Sequence, residues 1–223
     1  MKQYNWSEDD VCVIEDFITQ EDADILINYM EFNFNNKYNC IDSSEKTRYI
    51  FPFLHIDDEV VKSLILKLYK KSWLQAVQYS AEKFNFKVLH NTFSRAPELV
   101  MWTGQGLSSH RDGHEKMFTS EDLESSGMPL SSLIYLNDNY DGGEIVFDDF
   151  NFKVKPKNLS FIIFPSFFAH SVNKITVIDN KNPRYTIPFF FGFYVEDFDE
   201  LKNKELDFDL KNQNADGQLP LKG

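Results

Sequence analysis

Residues 130–150 read LSSLIYLNDNYDGGEIVFDDF, two apolar runs separated by a turn-forming segment. The runs at 130–137 and 144–150 have the composition of strands, and the polar, glycine-containing segment between them favours a tight turn. Gly142 and Gly143 are expected to supply positive φ there. Similar short runs occur at 86–93, 98–103, 152–155, 159–164, 170–178 and 184–195. Many short strands in succession predict an antiparallel sandwich or jelly roll.

The N-terminal part has a different pattern. Residues 11–18 alternate as a strand does, and Thr19 opens a Ser/Thr-x-x-Asp cap before apolar residues at helical spacing. A second helix is predicted from about Asp57 to Lys83, after an Asn-rich segment from Asn33 to Ser44 that is interpreted as a loop. We expect one domain over 1–223, with mainly helical support and an opening strand over 1–84, a jelly-roll core over 85–195 and an acidic tail over 196–223.

Composition narrows the class of protein. The chain has 223 residues, with 22 Phe, 10 Tyr and 3 Trp, a content of aromatic residues that favours a sheet-rich core. The formal net charge of -12 argues against a protein that binds nucleic acid by neutralising phosphates. No apolar run approaches the roughly 18 residues of a membrane span, no signal peptide is evident, and Cys12 and Cys40 form no CxxC pair. These features predict a cytoplasmic protein without membrane or nucleic-acid partners.

A His-x-Asp pair follows a glycine turn at the start of the strand-rich region. Residues two apart on a strand point to the same side, so His110 and Asp112 could bind one metal ion. His170, between an apolar run and Ser171, is the candidate third ligand. Two imidazoles and one carboxylate make the facial triad of non-haem Fe(II) oxygenases, which leaves coordination positions open. From the spacing alone, a histidine that is a hydrogen-bonded part of the core is the commoner case.

Four further segments flank this HRD pair (110–112) in order: WTGQG (102–106), SSLIYLNDNYDGGEIVF (131–147), VKPKNLSFIIFPSFFAHSV (154–172) and NPRYTIPFFFGFY (182–194). From about Leu99 to Tyr194 the chain thereby resembles the prolyl 4-hydroxylase branch of the Fe(II)/2-oxoglutarate dioxygenases. The resemblance implies an α+β, mainly β, fold: a double-stranded β-helix, or jelly roll, with N-terminal supporting helices.

The same resemblance implies an enzyme and its cofactors. Fe(II) held by His110, Asp112 and His170 would work with 2-oxoglutarate and O2, with ascorbate as a reductant. The reaction would hydroxylate a C–H bond and convert 2-oxoglutarate into succinate and CO2. Prolyl residues of a peptide or protein are the substrate that the resemblance implies first.

Arg184 is the candidate partner of the distal carboxylate of 2-oxoglutarate. A buried carboxylate needs a permanently charged partner, and a guanidinium offers two parallel hydrogen bonds. Arg184 also enters an apolar strand, where an unpaired arginine would be costly, although a surface arginine is the alternative. Thr186 shares its strand face and could add a hydroxyl donor.

The resemblance also suggests further residues of the cosubstrate site, and the chain departs from the family pattern at some of them. The resemblance implies that Tyr135 donates to the same carboxylate as Arg184. Trp102 stands where the family has a tyrosine. By resemblance, Trp102 is expected to contact the cosubstrate in its place. Many members use a lysine about ten residues after the second histidine. Lys181 is near that distance, but the sequence around it predicts a turn, so Arg184 is the better candidate. His114 is interpreted as a residue at the rim of the metal site.

The sequence is also compatible with other functions. The substrate could be a free amino acid or another small molecule, and the polar segments from Asn33 to Ser44 and from Thr119 to Gly127 are candidate lids. A non-catalytic jelly-roll binding module would need neither iron nor 2-oxoglutarate. A cupin-type metal enzyme that uses no 2-oxo acid would leave Arg184 without a role.

Overall fold

The computed structural model describes residues 6–36, 41–42, 47–84, 97–113, 130–176 and 183–191. The helices are a 3-10 helix at Glu8–Asp10, α1 at Gln20–Asn36, a second 3-10 helix at Phe53–His55 and α2 at Glu59–Phe84. The strands are β1 Cys12–Ile14, β2 Ile41–Asp42, β3 Arg48–Pro52, β4 Glu98–Trp102, β5 Leu107–His110, β6 Leu130–Tyr135, β7 Asp141–Gly142, β8 Ile145–Phe147, β9 Phe152–Val154, β10 Phe161–Pro165, β11 His170–Val172, β12 Ile175–Thr176 and β13 Arg184–Phe191. Within these ranges, no helix is both long and apolar enough to cross a membrane. The predicted strand at 86–93, the segment 119–127 and the tail 196–223 lie outside them.

The strands form two facing layers. In the described part of the chain the main sheet has the order β1-β10-β6-β13-β4-β3-β2, and the second sheet has the order β5-β11-β8-β9. Strands β12 and β7 form a small third sheet. All of these pairings are antiparallel. This is the double-stranded β-helix expected from the sequence, and a cavity lies between its two larger sheets.

Strand β13 shows how the main sheet separates the helices from the cavity. Side chains alternate between the two faces of a strand, so Arg184 and Thr186 line the cavity while Phe189 and Phe191 point the other way. On that other face Tyr69 of α2 packs against both phenylalanines, with ring centroids 5.3 and 5.7 Å away. The helices therefore support the sheet from behind and leave its inner face for chemistry.

The helix starts are confirmed, but the first helix is longer than expected. The Asp22 amide donates to the Thr19 hydroxyl over 3.1 Å, which caps α1 as the sequence predicts. The loop prediction from Asn33 onward is wrong at its start, because α1 continues to Asn36. The Asn33 side-chain amide donates to the Tyr29 carbonyl over 2.9 Å, so this asparagine bonds within the helix instead of ending it.

Two strand predictions in the N-terminal part need correction. The strand expected over 11–18 stops at Ile14, because the backbone turns at Asp16 with φ 51° and Phe17 then donates its amide to the Leu159 carbonyl. Strand β3 was missed entirely, although it pairs with β4 in the main sheet with Arg48 opposite Trp102. Residues 1–84 thus contribute strands to the β-helix as well as helical support.

Candidate metal centre and cosubstrate pocket

His110 and His170 are brought together by strand pairing. They are directly opposed residues of the antiparallel strands β5 and β11. Asp112 lies just beyond the end of β5, so the expectation that it shares a strand with His110 is wrong. Its amide instead donates to the Ser166 carbonyl over 2.8 Å, which turns the chain back toward the cavity. One ligand atom from each of the three side chains lies within 4.8 Å of the others.

The backbone orients both imidazoles. Nδ1 of His110 lies 2.9 Å from the Ser108 carbonyl, and Nδ1 of His170 lies 2.8 Å from the Phe168 carbonyl. A carbonyl can only accept, so each Nδ1 carries the proton and each Nε2 presents its lone pair in the neutral ring. Both Nε2 atoms face Asp112, at 3.4 Å for His110 and 3.5 Å for His170.

Asp112 sits between the histidines as a charged carboxylate. The Ser131 hydroxyl donates to its Oδ2 over 2.7 Å. Burial acts to raise the pKa of Asp112, but the contacts with His110, His170 and Ser131 outweigh it, so the pKa is lowered. The hydrogen bond to Asp112 raises the pKa of His110, whereas burial lowers the pKa of His170. The centre therefore offers one anionic oxygen ligand beside two imidazole nitrogens.

This donor set fits a divalent transition metal. Imidazole nitrogens and a carboxylate oxygen suit Fe(II), and the two-histidine, one-carboxylate arrangement binds one face of an octahedral ion. The hydrogen bonds from Ser131 and to the two backbone carbonyls orient the ligands, as they do in established metal centres. Among the described residues no other group of His, Cys, Asp and Glu approaches this geometry.

A second polar cluster surrounds Arg184, whose side chain is almost completely buried. Its Nε and Nη2 atoms have no hydrogen-bond partner among the described residues, and the same holds for the hydroxyls of Tyr135 and Tyr140. The guanidinium carbon lies 5.3 Å from the Tyr135 ring and 5.8 Å from the Trp102 ring. Buried donors without acceptors are costly, so this cluster is suited to an anion that would accept from all three side chains.

The two phenols are neutral donors. Burial raises the pKa of Tyr135 and that of Tyr140, although the nearby Arg184 charge acts in the opposite direction. A neutral phenol beside a guanidinium can donate to a carboxylate that the guanidinium also holds. The side chains around Arg184 thus suit a carboxylate group.

Tyr140 is a site residue that sequence reasoning missed. It lies in the turn before β7, where a polar segment gave no reason to expect a buried ring. Gly143 makes room for it, since a Cβ there would come within 2.9 Å of the Tyr140 ring and 3.4 Å of the Arg184 side chain. Gly143 also has φ 72° and Gly142 has φ 78°, which confirms the expected positive φ, although Asp141–Gly142 form strand β7 inside the segment expected to be a tight turn. Gly143 therefore shapes the arginine pocket, whereas Gly142 allows the close approach of the Lys174 backbone.

One cavity of about 130 Å³ is lined by His110, Asp112 and His170 and also by Arg184. Its apolar wall is formed by Val100, Leu133, Pro188 and Phe190. Arg48 of β3 and Glu98 of β4 line the same cavity and form an ion pair, with 3.1 Å between Nη2 and Oε1. Arg48 also lies 5.1 Å from the Trp102 ring, so this indole is flanked by two guanidinium groups.

Of the other residues singled out from the sequence, Thr186 and Trp102 lie near Arg184. Thr186 is buried at the cavity, opposite Tyr135 on the neighbouring strand. Trp102 lies opposite Arg184 across β4 and β13. His114 and Lys181 lie outside the described residues.

Comparison with solved structures identifies the fold. A viral collagen prolyl hydroxylase from Paramecium bursaria Chlorella virus-1, solved with 2-oxoglutarate, superposes with a TM-score of 0.57 at 14% identity, over 83% of this chain and 96% of that one. A Pseudomonas putida prolyl-4-hydroxylase gives 0.55 at 14% identity, over 83% and 93%. A Trichoplax adhaerens prolyl hydroxylase, in complex with a peptide fragment of the hypoxia-inducible factor oxygen degradation domain, gives 0.57 at 14% identity, over 83% and 84%.

The chain has the fold of the prolyl hydroxylases. At these identities the likeness concerns the fold alone, and it confirms the fold that the resemblance implied. No protein-family model matches the chain, and no curated protein sequence does.

Proposed function

We propose that this protein is an Fe(II)- and 2-oxoglutarate-dependent oxygenase that hydroxylates a C–H bond, with a prolyl residue of a peptide or protein as its substrate. One observation carries the proposal: the metal-binding triad and Arg184, a buried arginine with two unsatisfied guanidinium nitrogens, line a single cavity. A metal enzyme without a 2-oxo acid would need only the triad. A non-catalytic binding module would need neither.

Each cluster has a defined task in this proposal. His110, Asp112 and His170 would hold Fe(II), and Arg184 with Tyr135, Tyr140 and Thr186 would hold the distal carboxylate of 2-oxoglutarate. The iron and the 2-oxo acid, when bound, supply the oxidising power for C–H hydroxylation, with O2 as the oxidant. The indole of Trp102 would lie beside the cosubstrate and keep the arginine oriented. The end of the cavity at Arg184 and Thr186 is buried and would exclude water from the bound carboxylate.

Two observations support a prolyl substrate. The wall formed by Val100, Leu133, Pro188 and Phe190 is apolar, which suits an unactivated aliphatic ring. The fold is shared with prolyl hydroxylases, one of which is solved with a peptide fragment.

A different observation favours a second candidate, a free amino acid. Arg48 and Glu98 place a cation and an anion in the wall of the same cavity. These charges are complementary to the carboxylate and the ammonium group of a zwitterion.

Succinate formation tests the proposal and separates the two substrates. The protein would be supplied with Fe(II), 2-oxoglutarate and O2, with and without ascorbate, and offered proline-containing peptides, the same peptides with alanine for proline, and free amino acids. Peptide-dependent succinate that requires proline supports the prolyl assignment, and stimulation only by free amino acids supports the alternative. If the wild type yields no more succinate than the Asp112→Ala variant, either alone or with any of the substrates, the oxygenase assignment is wrong.

A further inference from the structure

The turn that follows β8 contacts the residues next to both metal-binding histidines. Asp148 and Asp149 belong to this turn, which directly follows β8, the strand that pairs with β11. The Asp148 amide donates to the Ala169 carbonyl over 2.9 Å, and the Ala169 amide donates to Oδ2 of Asp149 over 2.9 Å. Ala169 immediately precedes His170, so both polar groups of its backbone are fixed by the acidic turn.

The same turn holds the segment that carries the other two ligands. Arg111, between His110 and Asp112, donates from Nη1 and Nη2 to the two carboxylate oxygens of Asp149, over 2.9 and 2.8 Å. Nη1 also donates to the Phe167 carbonyl, and the Ser109 hydroxyl donates to Asp148. The residues on each side of His110 are therefore tied to the turn that also holds Ala169.

We propose that Arg111 and Asp149 are positioning residues of the metal centre, which fix the segment bearing His110 and Asp112 relative to the segment bearing His170. The inference rests on the proposed metal site. Neither side chain would touch the metal. A planar guanidinium that meets both oxygens of one carboxylate sets an orientation as well as a distance, whereas a lysine in its place would set neither.

The exposure of the pair separates this role from general stabilisation. The Arg111 and Asp149 side chains are 47% and 31% exposed. Ion pairs in water contribute little to global stability, so losing this one should leave the unfolding midpoint of the metal-free protein nearly unchanged. Metal affinity is sensitive to small changes in ligand geometry. Loss of the ion pair should therefore change the metal affinity more than the unfolding midpoint.

Co(II) binding tests the inference without any enzymatic turnover. Co(II) would be titrated into the metal-free wild type and the Asp149→Asn variant, with visible absorption reporting both affinity and coordination geometry. Asp149→Asn keeps the shape of the side chain but removes its charge and one acceptor of the fork. We expect Co(II) affinity to fall by about tenfold, with a changed spectrum and an unchanged unfolding midpoint. Lys157→Gln is the matched control, since it breaks the exposed ion pair of Lys157 with Glu15, away from the ligands.

The Arg111→Lys variant protects the test against a folding defect. It keeps the positive charge but loses the fork, so it should reproduce the loss of affinity, and the double variant should lose little more than either single one. Wild-type Co(II) affinity and spectrum in both single variants would overturn the inference while leaving the metal site intact. If Asp149→Asn fails to fold, Arg111→Lys alone decides between these outcomes. Absence of Co(II) binding by the wild type would overturn the inference and the proposed function together.

Discussion

His110 and His170 face each other as paired residues of neighbouring strands, with their ring centroids 4.3 Å apart. Because strand pairing sets this separation, the two imidazoles are placed before any metal arrives. Asp112 completes the centre from a turn that the Ser166 carbonyl holds. The metal site thus combines a rigid pair of ligands with a third that depends on its hydrogen bonds.

Ser131→Ala is expected to weaken metal binding. The Ser131 hydroxyl donates to Asp112 over 2.7 Å, and losing such a partner of a metal ligand typically costs about 10–100-fold in affinity. Titration with Mn(II) or Co(II) measures the change. Ser132→Ala is the matched control, because the Ser132 hydroxyl donates to the Phe189 carbonyl instead. Equal affinities for the two alanine variants would show that Ser131 does not support Asp112.

Arg184→Met should separate cosubstrate binding from folding. Removing a charge-assisted fork costs about 1.5–3 kcal/mol, which corresponds to a loss of 2-oxoglutarate affinity of about 10- to 100-fold. Without ligand, the Arg184→Met variant should be at least as stable as the wild type, because in the wild type two buried guanidinium nitrogens of Arg184 lack partners. Calorimetric titration with 2-oxoglutarate and thermal unfolding provide the two readouts. A variant that binds 2-oxoglutarate normally would remove Arg184 from the pocket.

Tyr140→Phe is expected to lower 2-oxoglutarate affinity by about tenfold, since a phenol donor to a carboxylate is lost while the ring remains. Metal affinity should not change. Tyr185→Phe serves as the control, because this buried tyrosine lies on the opposite face of β13 and donates to Glu31 over 2.9 Å. A larger effect from Tyr185→Phe than from Tyr140→Phe would contradict the assignment of the donor.

Phe147→Ala should destabilise the fold behind the metal centre. Phe147 is fully buried, and its ring centroid lies 4.9 Å from that of Phe164, which in turn packs edge-on against His170 at 4.9 Å. Truncating such a ring costs about 3–5 kcal/mol, measured by denaturant unfolding. Phe32→Ala, at a side chain that is 64% exposed, should change stability by less than about 0.5 kcal/mol. Similar values for both variants would mean that the ring of Phe147 is not part of the core.

The three candidate ligands could be named from the sequence because their chemistry is carried by residue type and by neighbouring motifs. The strand alternation around Arg184 likewise predicted the common face that it shares with Thr186. Tyr140 could not be found in this way, because its burial depends on the space above Gly143, which no local pattern encodes.

Strand β3 escaped prediction for a related reason. It is short and contains Pro52, and its place in the sheet depends on pairing with the distant strand β4. The ion pair of Arg48 with Glu98 in the cavity wall was missed with it.

The most direct test of the central claim is an anaerobic titration of the metal-free protein with Fe(II) and then with 2-oxoglutarate. An iron-bound 2-oxo acid gives a charge-transfer absorption that neither component gives alone. We predict that this band appears with the wild type at one equivalent of Fe(II), is absent from Asp112→Ala, and requires far more 2-oxoglutarate in Arg184→Met. The account would be contradicted if the wild type bound Fe(II) but showed no such band. It would also be contradicted if neither substitution changed the band.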